Sequence, residues 1–193
     1  MKPAAGASIL AAALIVSLVW LSPARALADE LPTDTNQIES LTPEQATALA
    51  GSTAGWVRLP NLTSLDADLA KTLAGSTAWD GRVPKLTTLD IDIAKTLAAL
   101  DKWDGNLSSI VAIESPDSVE IAAALATRKG PLSLRNLKKI SPKTLTSLIE
   151  KEDVEIPLIE TLELIQEPDG SPTEDFVIPK GFQARQKRRQ QGR

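Results

Sequence analysis

The chain has 193 residues, 42% of them hydrophobic and 24% charged, with 21 basic and 25 acidic side chains and a formal net charge of −4, enough for one domain with a sizeable core. It contains no cysteine and no histidine, which excludes disulfides, thiolate or imidazole metal sites, cysteine nucleophiles and Ser-His-Asp triads. Carboxylates, amines and hydroxyls remain for chemistry, and with four Trp, two Phe and no Tyr the core must come from Leu, Ile, Val and Ala.

Lys2 precedes an apolar stretch from Ile9 to Leu21, Pro23 interrupts it, and Ala26-Leu27-Ala28 places small residues where a signal peptidase reads. This predicts a secretory signal over 1–28, cut before Asp29, and an exported protein, secreted or periplasmic. The alternative is an uncleaved anchor, because Ala4 to Leu21 approaches spanning length; with the signal removed, no membrane span is expected.

From Ile38 onward the chain repeats itself. Leu59-Leu62-Leu65, Val83-Leu86-Leu89, Leu107-Ile110-Ile113, Leu134-Leu137-Ile140 and Ile156-Ile159-Leu162 have the same L-x-x-L-x-x-L form, their first residues lying 24, 24, 27 and 22 positions apart. Ile38 and Leu41 form a degenerate earlier copy, making about six units. Thr42, Asp66, Asp90, Ser115 and Ser141 then occupy a helix N-cap position, followed by Pro in three cases, and apolar residues recur at helical spacing, as in Leu69, Ala70, Leu73 and Ala74. Short alternating segments before the first apolar slot, Val57-Arg58-Leu59, Leu132-Ser133-Leu134 and Val154-Glu155-Ile156, predict strands, with Gly55, Gly81, Gly105 and Gly130 just ahead as turns. A unit of about 24 residues cannot bury its own apolar faces, so each copy requires neighbours on both sides.

The phrase L-x-L-x-x-L-x-x-L-(S/T)-x-x-x-A-x-x-L-A over residues 36 to 165, clearest at 55 to 105 and 130 to 149, resembles bacterial variants of the leucine-rich repeat superfamily. The resemblance implies an α/β fold, a right-handed solenoid of about six units with short parallel strands on one face and short helices on the other, commonly serving as a binding scaffold. An asparagine ladder at the bend, usual in the better-known pattern, is missing from the repeat as read. The expected organisation is a signal peptide at 1–28, the repeat body at 29–168, and a C-terminal cap with a basic disordered tail at 169–193.

Asp66-Ala67-Asp68 and Asp90-Ile91-Asp92 look like alternating calcium ligands, but the same position holds Thr42-Pro43-Glu44 and Ser141-Pro142-Lys143. Helix capping accounts for all four, and no metal or other cofactor is expected. Trp56, Trp79 and Trp103 recur at 23 and 24 residues and are read as a buried structural column rather than a stacking platform for sugars or bases. If Val57 and Leu59 point inward, the outward positions are Arg58 and Pro60, Arg82 and Pro84, Asn106 and Ser108, Ser133 and Arg135, Glu155 and Pro157. Of these, Arg58, Arg82, Asn106, Ser133 and Arg135 are the candidate binding residues.

Residues 29–179 hold all 25 acids and 13 of the 21 bases, a net charge of −12, whereas residues from Lys180 onward hold six bases and no acid. A short strand is expected at Phe176 to Ile178, and disorder beyond Gly181. The basic cluster suits contact with an anionic surface; without an aromatic stack or a nucleic-acid fold, no nucleic-acid role is expected. The preferred function is an exported, non-catalytic interaction module that presents its sheet face to a protein partner. The alternatives are an envelope-tethered structural protein and, more remotely, a carboxylate-based polysaccharide hydrolase, whose two acids would have to face each other across a cleft.

Overall fold

The computed structural model describes residues 34–52, 56–171 and 177–191, apart from the side chains of 189 and 190. The signal segment, Gly55 and Phe176 lie outside the described residues. Among those described, no helix is long and apolar enough to cross a membrane. The described residues form six α-helices, α1 (Pro43–Ala50), α2 (Ala67–Ala74), α3 (Ile91–Ala99), α4 (Ser118–Ala126), α5 (Pro142–Ile149) and α6 (Lys180–Gln191). Five two-residue strands accompany them: β1 (Ala112–Ile113), β2 (Leu132–Ser133), β3 (Lys139–Ile140), β4 (Val154–Glu155) and β5 (Glu163–Leu164). They form two small parallel sheets, β1-β3-β5 and β2-β4, so the fold is mixed α/β.

The short helices begin where side-chain caps allow. Asp66 and Asp90 accept from Leu69 N (2.8 Å) and Ile93 N (2.7 Å), and Thr42 and Gln45 complete a reciprocal capping box at 3.3 and 3.1 Å. Each such cap supplies about 1 kcal/mol by satisfying an orphan N–H. Each helix then turns one apolar edge inward: Leu69, Ala70 and Leu73 in α2, Ile93, Ala94 and Leu97 in α3, Leu145, Leu148 and Ile149 in α5. Consecutive helices pack pairwise, α1 on α2 through to α4 on α5.

The three apolar slots of each unit line one core. Leu59, Val83, Leu107 and Leu134 are fully buried, and so are Leu62, Leu86 and Ile110, with Leu137 nearly so. A single local bond makes the corner between these slots: Leu62, Leu86, Ile110 and Leu137 each donate N–H to the carbonyl three residues back, at 3.1 to 3.3 Å. A side chain every third residue is thereby turned inward at a bend rather than along a strand.

Two ladders join successive units. The first runs through the predicted strands but is thinner than the alternation suggested: Val57 makes only an isolated bridge to Trp79 and Asn106 one to Ser133, and a regular pair forms only between β2 and β4. The second, β1-β3-β5, lies at the bend itself and was not legible as strand. Toward the N-terminus its line continues as Thr63 N to Glu39 O (3.0 Å) and Thr87 N to Thr63 O (3.1 Å). Two asparagines also take part, without forming a continuous ladder: Asn136 Nδ2 donates to Ser108 O at 2.8 Å, and Asn61 Nδ2 donates to Asn36 O. Both stand two residues after the first apolar slot of their units.

One junction differs. Between the unit starting at Val83 and that starting at Leu107, no backbone hydrogen bond is made in either ladder among the described residues. Packing of α3 on α4 spans it. Hollows open on both sides of this seam, about 640 Å³ over Ile91, Ala98, Ala99 and Ala123, and about 180 Å³ between Thr87–Leu89 and Ala112–Ser115. The unit on its C-terminal side carries the 27-residue spacing, and its three extra residues displace the helix start: α4 begins at Ser118 after Asp117, which makes no side-chain cap, so Ser115 does not serve as the N-cap.

The C-terminal segment departs from expectation. Val177 and Ile178 form no strand, and residues 182–191 are helical in α6 rather than disordered. Burial of Phe182 gives this very polar helix the apolar anchor that its composition conceals.

Candidate functional site

The predicted outward positions do face outward. In the five full copies the first apolar slot is buried, while Arg58, Arg82 and Arg135 are exposed and Asn106, Ser133 and Glu155 half-buried. Parallel pairing of Leu132 with Val154 and Ser133 with Glu155 fixes the register over the C-terminal part of this face. A shift of one residue would turn the buried set to solvent.

The charge on the face is not the free basic stripe suggested by three arginines. Arg82 Nε lies 3.3 Å from Asp104 and 3.8 Å from Asp80, and so links the loop of its own unit to that of the next across the seam. Arg135 Nε donates to Glu155 Oε2 at 2.8 Å, with Ser133 Oγ 3.5 Å from the same oxygen. Arg58 makes no ion pair among the described residues. Asn106 is held locally: its N–H donates to Asp104 and its side-chain oxygen accepts from Ser108 N, both at 3.0 Å. The face therefore offers one unpaired cation, two paired ones, and amide and hydroxyl groups between them. Asp80, Asp104 and Glu155 belong to it as charge partners, a role that alternation alone did not reveal; for the two aspartates the repeated Trp-Asp-Gly was the available signal.

That motif builds the edge of the face. Asp80 and Asp104 each accept from the N–H two residues on, Arg82 and Asn106, at 3.0 Å. Gly81 and Gly105 follow at φ +75°, a conformation that only glycine adopts freely. The preceding Trp79 and Trp103 are 1% exposed, as a structural column requires, but Trp56 is 67% exposed and carries Lys102 Nζ 5.3 Å from its ring centre. The reason lies in the 23-residue interval, since Gly55 and not Trp56 is the counterpart of Trp79. The row continues instead with Arg128, whose guanidinium lies 4.9 Å from the centre of the Trp103 ring. It donates to Pro131 O at 3.1 Å and also to the carbonyl of Trp103. Burial lowers the Arg128 pKa, opposed by the charges of Asp104 and Asp101.

At the opposite edge, where the helices begin, Ser141, Thr144 and Ser118 form a buried hydroxyl chain with links of 2.8 and 2.9 Å. The buried Glu167 accepts from Lys143 N at 2.9 Å, completing the start of α5. Sequence spacing missed this group because Glu167 comes from beyond the last unit. Asp66 and Asp90 are occupied as caps, and among the described residues no three carboxylates gather in a way that would hold a metal ion.

No protein-family model matches the chain, and neither does any curated protein or solved structure.

Proposed function

We propose that the units wind into a right-handed solenoid of the leucine-rich-repeat type, and that the protein is an exported, non-catalytic binding scaffold. The observation that carries this reading is the outward row Arg58, Arg82, Asn106, Ser133 and Arg135, set on a face whose alternate positions are all buried. A partner that meets such a row finds side chains already oriented by the packing beneath them, so little ordering entropy is lost on binding. Arg58 supplies the cation that is free to pair, while Arg82 and Arg135 need a partner group able to share or replace Asp104 and Glu155. An acidic protein surface interspersed with hydrogen-bonding groups fits that pattern.

The test is site-specific photo-crosslinking in cells, with a photoreactive amino acid at position 58 or 106 and, as control, at position 95 on the helix side. The expected result is a discrete crosslinked protein from 58 and 106 and none from 95. Crosslinks from 95 alone would refute the face, and processing before Asp29, read by intact mass, checks export separately.

A further inference from the structure

We propose that the outward side of α6 is a docking surface for an anionic lipid bilayer, a role separate from that of the sheet face. Three contacts set the rotation of this helix. Phe182 is 4% exposed; Arg185 Nη2 donates to Ile149 O at 3.1 Å and Gln186 Nε2 to Pro157 O at 2.9 Å, which ties the helix to the end of α5 and to the last unit. At about 100° per residue, these three side chains define the inward side, and Lys180, Lys187 and Arg188 fall within an arc of about 100° on the opposite one. All three are exposed.

Lys180, Lys187 and Arg188 form no ion pair among the described residues, a property they share with Arg58, Lys85 and Lys95 of the body, but they stand together on one side of a single helix. Arg188 faces Glu152 and Asp153 only across a hollow of about 520 Å³, which leaves Lys180 and Lys187 as the outermost cations. Residues 180–193 carry six basic and no acidic side chains, against a net −12 in residues 29–179.

This contrast selects the partner. A long polyanion lying along the molecule would be repelled by the acidic body, whereas a flat anionic surface that meets the molecule at the α6 end touches only the basic part. The single aromatic ring of α6 is turned inward, so nothing on the outer side stacks with a base. Val177, 80% exposed, precedes the helix by three residues and gives the same end an apolar side chain to set among headgroups. Each basic residue near such a surface contributes about 1 kcal/mol, and the attraction is screened by salt.

The experiment is flotation of the full chain with vesicles containing one-third phosphatidylglycerol, compared with pure phosphatidylcholine. Binding is expected to be stronger to the anionic vesicles, to weaken as salt is raised, and to fall at least about tenfold in Lys180→Glu/Lys187→Glu. The double variant Lys180→Arg/Lys187→Arg should keep it. Thermal melts of both variants identify any loss that comes from unfolding, and binding by the Arg variant with a native melt of the Glu variant isolates the charge. Equal binding to the two vesicle types, or binding indifferent to the charge reversal, overturns the proposal. So does a heparin or duplex DNA complex that survives excess anionic vesicles, because the partner is then a polyanion.

Discussion

The loops at 79–82 and 103–106 and the loop at 128–133 perform the same task with different chemistry. In the first two, a buried tryptophan fills the space between a helix end and the following unit, an aspartate closes the turn, and a glycine leaves room for the next loop. In the third, the glycine of the turn position gives way to Leu132, the tryptophan position holds Gly130, and the Arg128 guanidinium lies over the preceding indole. An apolar plug needs only shape, and the indole N–H groups of Trp79 and Trp103 indeed have no partner among the described residues. A guanidinium in the same row must have its donors satisfied, and carbonyls of neighbouring loops do this. Two solutions to one gap imply that the unit tolerates substitution when volume and polar pairing are kept together.

The largest expected effect is removal of the plug. Trp103→Ala should lower unfolding free energy by about 3–5 kcal/mol in urea titrations. A loss below about 1 kcal/mol would mean that the Arg128 loop collapses into the space.

The two glycines separate next. A Cβ on Gly105 would lie 2.0 Å from Pro131 O, whereas one on Gly81 would meet Trp103 Cβ at 3.0 Å and the mobile end of Leu100 at 3.2 Å. Both substitutions to alanine carry the strain of a left-handed backbone, about 1–3 kcal/mol. Gly105→Ala should exceed Gly81→Ala in chemical denaturation, because a backbone carbonyl cannot rotate away as a leucine methyl can.

Arg128→Met keeps much of the stem's packing and removes the donors, leaving the carbonyls of Pro131 and Trp103 without them. A loss of about 2–3 kcal/mol is expected, and unchanged stability would show that stacking on Trp103, not hydrogen bonding, holds this loop.

The smallest effect lies away from the row. Asp169 is fully exposed, and its pKa is lowered first by the hydrogen bonds from Ser171, with Lys143 assisting. A depressed folded-state value means that its contribution is present above the ordinary carboxylate range and is lost as pH falls through the lowered one. Ser171→Ala, which removes the hydroxyl but keeps the backbone N–H, should raise the Asp169 pKa toward its usual value in an NMR titration; no change would assign the depression to the Ser171 backbone N–H and Lys143.

Much of the fold was legible because its determinants are local. The unit boundaries, the caps at Thr42, Asp66, Asp90 and Ser141, and the outward placement of Arg58, Arg82 and Arg135 follow from spacing, capping chemistry and alternation. The missed features depend on where another segment arrives. The second ladder arises because parallel units bring backbone at the bends within hydrogen-bonding distance, and the shift of α4 to Ser118 follows from three residues that must be accommodated beside α3. Trp56 falls outside the column for a simpler reason: it stands one residue out of phase with Trp79 and Trp103, and phase, not residue type, decides which side chain fills the gap.

Residue order by itself determined that this chain is a succession of similar units with capped helices and one shared aliphatic interior, since periodicity and capping act within a few residues. Only the tertiary structure decided which charges on the outward row are paired, that an arginine continues a tryptophan row, and that α6 turns Lys180 and Lys187 away from an acidic body. Those outcomes depend on distances between residues some 20 or more positions apart, and electrostatic pairing and desolvation respond to distance in space rather than to separation along the chain.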